Sequence, residues 1–273
     1  MTRLNTVFCL IISCLLPCSA FSQTYYYQSP EDDATLGKGW ISAAEQRYKQ
    51  DVSGLSGKNK KYLQQLYTDR YEHIKKMYDQ KEIVTNTAAT SYLQSLLAEI
   101  SKSNTAIRSL DVRVAFTRAW WPNASSMGEG TVLFNIGLFN KLKNESQAAF
   151  VLCHELAHLY LNHSNNAINN YVNTYYSEEF QKELKRINQS SYQKNQQLDE
   201  LAKPVAFNSR RHSREHEAEA DSMALEWMKN TPFDVHEVIT CLGLLDSVDN
   251  DKYNIAPPLK QVLKLPLKRK QIL

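Results

Sequence analysis

Two histidines four positions apart constrain this chain more than any other feature. His154 and His158 enclose the residues Glu-Leu-Ala. On an α-helix, residues four apart share one face and lie one turn apart, so both imidazoles can approach a single ion. Apolar residues flank the pair, with Phe150 and Leu152 before it and Leu159 after it. Because unpaired histidines on a buried helix face are costly, we expect a metal ion between them, and the fold must bring a further ligand to this point.

A second segment, around Glu217, offers that further ligand. His216, Glu217 and Glu219 are all of residue types that bind zinc. Glu217 is favoured because Asp221 follows four residues later on the same helical face, where it can accept a hydrogen bond from the second nitrogen of a ligand histidine. His216 and Glu219 stay open as alternatives. Without the upstream histidines, the segment would be interpreted as a charged and solvated helix face.

His163 is predicted not to be a ligand. It follows His158 by five residues, which places it about 140° further around a continuing helix. The chain also lacks the pattern in which a glycine and a histidine follow the second ligand at positions three and six, since Leu161 and Ser164 stand there.

Glu155, beside the first histidine, is the predicted general base. Three protein ligands and one open position are typical of catalytic zinc. A carboxylate next to the ligand face can take a proton from a zinc-activated water that attacks a carbonyl, then pass it to the leaving amine. His212 and Arg214 lie close in sequence to Glu217 and are candidates for stabilising the oxyanion. The alternative is a structural zinc site, which would need a fourth protein ligand such as His212 or His216.

The first 22 residues are predicted to be an export signal. Arg3 is followed by an apolar stretch over residues 4–16, which Pro17 ends. This is the pattern of a secretory signal peptide, and the stretch is shorter than a membrane-spanning helix needs. A second interpretation places Cys14 in a bacterial lipoprotein processing box, where it would be lipidated. Either way we expect an exported protein, periplasmic or secreted, whose membrane contact is peripheral or through a lipid anchor.

Composition limits the partners and the cross-links of the mature chain. Loss of residues 1–22 removes Arg3 and no acidic residue, so the 32 basic residues become 31 against 29 acidic ones. This near balance gives no electrostatic basis for binding nucleic acid, and no partner of that kind is predicted. Cys153 and Cys241 are the cysteines that remain. Two buried thiols are favoured, and a single disulfide in an oxidising compartment is the alternative.

Apolar periodicity predicts a mostly helical chain with two strands. A helix that begins at Glu145 or Ser146 carries His154. Residues 23–58 are predicted to be a loosely ordered N-terminal segment with one short helix near 41–50, and 59–273 the catalytic domain. The other predicted helices span residues 58–80, 88–102, 218–229 and 235–245, and the predicted strands span 112–116 and 131–136.

Residues 164–205 differ in composition from the rest of this domain, because Asn, Gln, Tyr, Ser and Lys dominate them. The favoured interpretation is a solvated helical hairpin inserted between the two half-sites, since residues 178–187 carry acidic and basic groups at helical spacing. A disordered polar loop is the alternative. If the insertion folds over the metal site, it would gate the substrate's access.

Both half-sites resemble a known peptidase family. The pattern Ser213-Arg214-x-x-Glu217-x-x-Ala220-Asp221, after the His-Glu-Leu-Ala-His sequence, is similar to that of the gluzincin metallopeptidases of the HtpX and CAAX-prenyl-protease (Ste24-like) type, peptidase family M48. The likeness spans roughly residues 88–250. Since no stretch after the export signal is apolar enough for a membrane span, the chain resembles the soluble exported bacterial branch of that family.

The resemblance implies a fold and a set of roles. The implied fold is α+β and zincin-like: mostly helical, with a small β-sheet beside the His154 helix and a helical insertion between the half-sites. One Zn²⁺ would be bound by His154, His158 and Glu217, with Glu155 as base and Asp221 supporting a ligand histidine. An edge strand would pair with extended peptide substrate. The residues of that strand are Gly130, Thr131, Val132, Leu133, Phe134 and Asn135.

These inferences predict a zinc endopeptidase that hydrolyses peptide bonds of unfolded or extended polypeptides in the cell envelope. The alternative is a zinc-fold chaperone or assembly factor of the envelope with little proteolytic activity. The intact Glu155 favours the enzyme, because a scaffold does not need a base at this position.

Overall fold

A computed structural model describes residues 31–248, which form an α+β fold of helices around one small sheet. The predicted export signal at residues 1–22, including Cys14, lies outside the described residues. The helices are α1 (Ala34–Ser53), α2 (Lys60–Asp79), α3 (Thr87–Ser103), α4 (Thr105–Arg108), α5 (Ile136–Phe139), α6 (Glu145–Tyr160), α7 (His163–Tyr175), α8 (Glu178–Gln189), α9 (Lys194–Lys229) and α10 (Glu237–Val248). The strands are β1 (Ile83–Val84), β2 (Arg113–Thr117), β3 (Ala124–Ser126) and β4 (Thr131–Asn135).

The sheet has the strand order β1-β2-β4-β3. β2 and β4 pair in parallel at its centre, while β1 and β3 pair antiparallel at its two edges. The strands predicted over residues 112–116 and 131–136 are confirmed as β2 and β4, each within one residue. β1 and β3 were missed, because two or three residues are too few to show an alternation.

β4 is not an edge strand, so this part of the prediction for residues 130–135 is wrong. It has β2 on one side and β3 on the other, and its five residues are buried. Gly130 also accepts a hydrogen bond from the Arg113 N–H at 2.8 Å. A strand paired on both sides has no free backbone edge to offer a peptide. The residues excluded from such pairing are Gly130, Thr131, Val132, Leu133, Phe134 and Asn135, and the edge beside them is β3.

Helix α6 lies in the middle of the hydrophobic core. Asn144 caps it by accepting a hydrogen bond from the Gln147 N–H at 3.0 Å. Phe150, Leu152 and Leu156 are fully buried among apolar side chains of the sheet, α3, α9 and α10. Burial of each such side chain stabilises the fold by about 1.5–3 kcal/mol, which fixes the rotation of the helix about its axis. That rotation decides where the two histidines of α6 point.

Helix α1 is twice as long as the short helix predicted near residues 41–50. It spans 20 residues from Ala34, and Asp33 caps it with a carboxylate that accepts hydrogen bonds from the N–H groups of Thr35 and Leu36. Gly37 and Gly39 suggested a loose segment, because glycine lowers helix propensity. Packing overrides that preference here: Ala44 is buried in a second small core with residues of α2, β1 and the sheet.

Residues 164–205 are helical, as favoured from the sequence, but they are not a separate hairpin. They contain most of α7, all of α8 and the first part of α9. Helix α9 runs for 36 residues through Pro204 and on to the segment that carries Glu217. The predicted start of a new helix at Ala218 is therefore wrong, and the polar region is continuous with the metal-ligand segment. The disordered-loop alternative is excluded.

Cys153 and Cys241 are buried thiols. The alternative of a disulfide between them is excluded. Burial raises the pKa of the Cys153 thiol above its usual range, and it raises that of Cys241 to about 12. Among the described residues, no helix combines the length and the apolar character that crossing a bilayer requires.

Candidate metal centre

Helices α6 and α9 bring three side chains to one point. His154 and His158 present their Nε2 atoms 3.0 Å apart. Glu217 places one carboxylate oxygen 3.4 Å from Nε2 of His154 and the other 3.6 Å from Nε2 of His158. One donor atom from each of the three residues lies within 4.8 Å of the other two. The three predicted ligand residues thus meet, although 59 positions separate Glu217 from His158.

These distances fit a tetrahedral zinc ion. Zinc binds imidazole nitrogen and carboxylate oxygen at about 2.0–2.2 Å, which places neighbouring donor atoms of a tetrahedron about 3.3 Å apart. The two nitrogens are 3.0 Å apart, and each lies 3.4 or 3.6 Å from its nearer oxygen of the Glu217 carboxylate, so all three separations are close to that value. Two imidazoles and one carboxylate are also the donor set of several catalytic zinc sites, in which the fourth position belongs to water or substrate.

The charge of the cluster also suits a cation. Burial alone would lower the pKa of His154, but hydrogen bonds to Asp221 and Glu217 outweigh burial and raise it to about 10. Burial and the charge on His154 lower the pKa of His158 to about 4. The two imidazoles therefore hold one positive charge between them, next to two carboxylates. A divalent cation would take the place of that proton.

Asp221 determines which nitrogen His154 turns toward Glu217. Its Oδ1 lies 2.8 Å from Nδ1 of His154. A carboxylate accepts only, so the hydrogen of a neutral His154 is held on Nδ1, and Nε2 keeps its lone pair for the ligand point. Glu217 and Asp221 are four residues apart on α9, and this places them on one helix face as expected.

Glu155 is buried beside the ligand cluster and is held by the sheet. The side chain is on the same helix as both histidines, and the backbone N–H of Ser126 in β3 lies close enough to its carboxylate to favour the charged form. Burial raises the pKa of Glu155 to about 7, the positive charge on His154 opposes this rise, and the Glu217 carboxylate adds to it. A carboxylate with a pKa near neutrality is suited to accept a proton and then release it.

His163 does not point away from the metal centre, so the reason given for excluding it is wrong. α6 ends at Tyr160, and Asn162 takes up a left-handed conformation with φ 58° before α7 begins at His163. This reversal returns the His163 ring to His158, with 3.0 Å between their Nδ1 atoms. Burial lowers the pKa of His163. His163 therefore contacts His158 on the side away from the ligand point. Its own nitrogens do not face the Nε2 atoms of His154 and His158.

The remaining candidates around Glu217 face other partners. Glu219 accepts a hydrogen bond from Nε2 of His163, and His216 stacks on the His163 ring. His212 is paired with Glu215 one turn along α9, with 3.1 Å between Nδ1 and Oε2. Arg214 is exposed on the same helix. The oxyanion role of His212 and Arg214 stays a prediction.

Strand β3, which closes the site on the side of Glu155, was not predicted from the sequence. Asn123 and Met127 form ladder bonds with β4, with 3.0 Å from the Asn135 N–H to the Asn123 oxygen and 2.9 Å from the Met127 N–H to the Thr131 oxygen. Because hydrogen-bonding direction alternates along a strand, Ala124 and Ser126 turn their backbone groups away from β4. One of these groups is the Ser126 N–H, which faces the Glu155 carboxylate.

Comparison with family models agrees with this geometry. Residues 87–264 match the model of peptidase family M48, whose members are zinc-dependent metallopeptidases. A comparison with curated protein sequences finds no significant match. The matched region covers well over half of the chain, and it contains the whole ligand cluster, Glu155, Asp221 and the strand β3. The chain therefore belongs to peptidase family M48 and is a metallopeptidase.

Proposed function

We propose that this protein is a zinc-dependent endopeptidase that cleaves unfolded or extended polypeptides in the cell envelope. The observation that carries the proposal is the meeting of His154, His158 and Glu217 next to a buried Glu155. A zincin-like arrangement, in which the helix of the base packs against the edge of a sheet, is part of the same proposal. Membership of the soluble exported branch rests on the sequence of residues 1–22.

Each residue of the centre has a distinct task in the proposed reaction. His154, His158 and Glu217 would hold Zn²⁺, which would supply Lewis acidity to a water molecule and to a carbonyl oxygen. Glu155 accepts a proton from the attacking water and later donates it to the leaving amine. The Ser126 backbone N–H faces the Glu155 carboxylate and favours its charged form. Asp221 keeps Nε2 of His154 directed at the ligand point.

The edge strand β3 is the proposed binding site for the substrate backbone. Ala124 presents its N–H and C=O groups away from β4, and it lies two residues from the Ser126 that contacts Glu155. An extended peptide that pairs with Ala124 would continue the sheet and pass beside the base. This replaces the earlier expectation for residues 130–135, since those residues are inside the sheet.

Comparison of wild type with Glu155→Gln tests the proposed activity. We expect cleavage of an unfolded protein such as casein to fall by 10²-fold or more in Glu155→Gln, because a general base contributes about 10²–10⁴ to the rate. Zinc content should stay at one ion per chain, since Glu155 is not a ligand. Glu145→Gln, an exposed position on the same helix, is the matched control and should keep full activity.

Two results would count against the enzyme. Equal cleavage by wild type and Glu155→Gln would remove Glu155 as the base. A zinc-loaded wild type that binds unfolded chains without cutting them would favour the alternative of a zinc-fold chaperone or assembly factor.

A further inference from the structure

His163 contacts both the metal centre and helix α9. Its Nδ1 lies 3.0 Å from Nδ1 of His158, and its Nε2 lies 3.0 Å from a carboxylate oxygen of Glu219. The His163 side chain is only 6% exposed, so water has little access to either nitrogen. Both nitrogens of a buried imidazole are therefore engaged, one by a ligand histidine and one by a carboxylate.

One assignment of hydrogens satisfies all three groups. Nε2 of His158 faces the donor atoms of His154 and Glu217, so a neutral His158 that binds a cation carries its hydrogen on Nδ1. That hydrogen is donated to Nδ1 of His163. The hydrogen of His163 is then on Nε2, where Glu219 accepts it. Reversing any one of these roles would place two donors or two acceptors face to face.

The ring of His163 is also fixed in its plane. His216 stacks on it with 4.0 Å between ring centroids and 10° between planes. His158 meets it edge-on, with 4.9 Å between centroids and 76° between planes. The two residues of α9 that hold His163, His216 and Glu219, lie three apart on that helix. A neighbouring face of the same helix carries Glu217 and Asp221, so α9 supports both ligand histidines.

The backbone turn before His163 is built to deliver this side chain. Asn162 adopts φ 58° and ψ 31°, a left-handed conformation that asparagine tolerates better than most residues. Its side-chain oxygen accepts a hydrogen bond from Asn165 Nδ2 at 2.7 Å. The turn follows the end of α6 at Tyr160, two residues after His158, and α7 then starts with His163.

We propose that His163 is a positioning residue of the metal centre, which holds His158 through a relay from Glu219 to His163 to His158. The inference rests on the proposed zinc function. His154 obtains the same support directly from Asp221, while His158 obtains it through an imidazole. Partners of this kind, which contact a ligand and not the ion, typically change metal affinity by about 10–100-fold.

Zinc affinity in His163→Phe and His163→Gln tests the relay. Phenylalanine keeps a ring to stack on His216 but cannot accept from His158, so we expect zinc to bind about 10–100-fold more weakly in competition with a chelator. Glutamine has an acceptor and a donor on one amide, so it can replace both nitrogens and should recover most of the affinity. Glu219→Ala should show an intermediate loss. His73→Phe, at an exposed position on α2, is the control and should match wild type.

The Co²⁺-substituted protein separates positioning from general stability. We expect the visible absorption bands of Co²⁺ to shift in His163→Phe, because the His158 imidazole is no longer held in one orientation, and to return towards wild type in His163→Gln. Equal zinc affinity and equal Co²⁺ spectra in wild type and His163→Phe would overturn the relay. A lowered melting temperature of the metal-free His163→Phe protein with unchanged affinity would also overturn it. Failure of wild type to bind zinc would instead overturn the proposed function, and the relay with it.

Discussion

Asp221 shows how a single carboxylate prepares a candidate metal ligand. It lies 2.8 Å from Nδ1 of His154, and its side chain is only 15% exposed. In such surroundings the hydrogen bond is little weakened by water, and it fixes both the tautomer and the rotation of the ring. We therefore expect Asp221 to contribute to the affinity of the centre for metal.

Asp221→Asn should bind zinc about 10–100-fold more weakly than wild type, because the amide oxygen still accepts from His154 but the negative charge is lost. Chelator competition with a fluorescent zinc indicator measures the difference. Glu226→Gln, at an exposed position five residues along α9, serves as the matched control. An unchanged zinc affinity in Asp221→Asn would show that the Asp221 charge does not support the ligand.

Residue spacing favoured the three side chains that the structure brings together, but it did not predict their surroundings. Four-residue spacing places His154 with His158 and Glu217 with Asp221, since helical geometry is local. His163 was misjudged because that argument assumed an unbroken helix. A left-handed Asn162 reverses the chain there, and Asn is common inside loops and helices alike, so its conformation cannot be deduced from residue type.

Among the elements, β3 has the largest effect on the proposed chemistry for its length. Its three residues connect the sheet to Glu155 on one side and leave Ala124 with an outward-facing backbone. Ala-Ser-Ser has neither the alternation nor the β-branched residues that indicate a strand, so it is defined only by its partner β4. Helices α2, α3 and α6, by contrast, were predicted closely, because their apolar residues repeat over four or five turns.

Ala124→Pro should weaken the use of peptide substrates without affecting the metal. Proline removes the N–H that would pair with a substrate, while the ladder bonds of β3 with β4 involve Asn123 and Met127. We expect KM for a peptide to rise about 5–10-fold, the equivalent of one hydrogen bond, with zinc content unchanged. Ala124→Ser keeps the N–H and is the control. An unaltered KM in Ala124→Pro would exclude β3 as the substrate edge.

At the scale of the whole molecule, the core does not depend on the ligand cluster. Helix α6 is fixed by buried apolar residues that contact the sheet, α3, α9 and α10, and the second small core joins α1 and α2 to the other face of the sheet. The class of fold was predictable, because helix and strand patterns are local. The polar region and the ligand segment form one helix through Pro204. This could not be predicted, because proline usually ends a helix.

Removal of zinc by a chelator should therefore leave the protein folded at 25 °C. Far-UV circular dichroism is expected to keep its helical signal, while Tm falls by about 5–10 °C relative to protein in zinc at a hundred times Kd, from the linkage of binding to stability. Loss of the helical signal on chelation would contradict this, and would indicate that the metal holds α6 and α9 together.

The two buried thiols bear on how this enzyme would endure in the proposed exported location. Neither Cys153 nor Cys241 is accessible to solvent, and residues 31–248 contain no cross-link that a reductant could cut. While this region stays folded, it therefore has no disulfide to be reduced and no accessible thiol to be oxidised to one. No disulfide stabilises residues 31–248, so their stability depends on packing and on the bound metal.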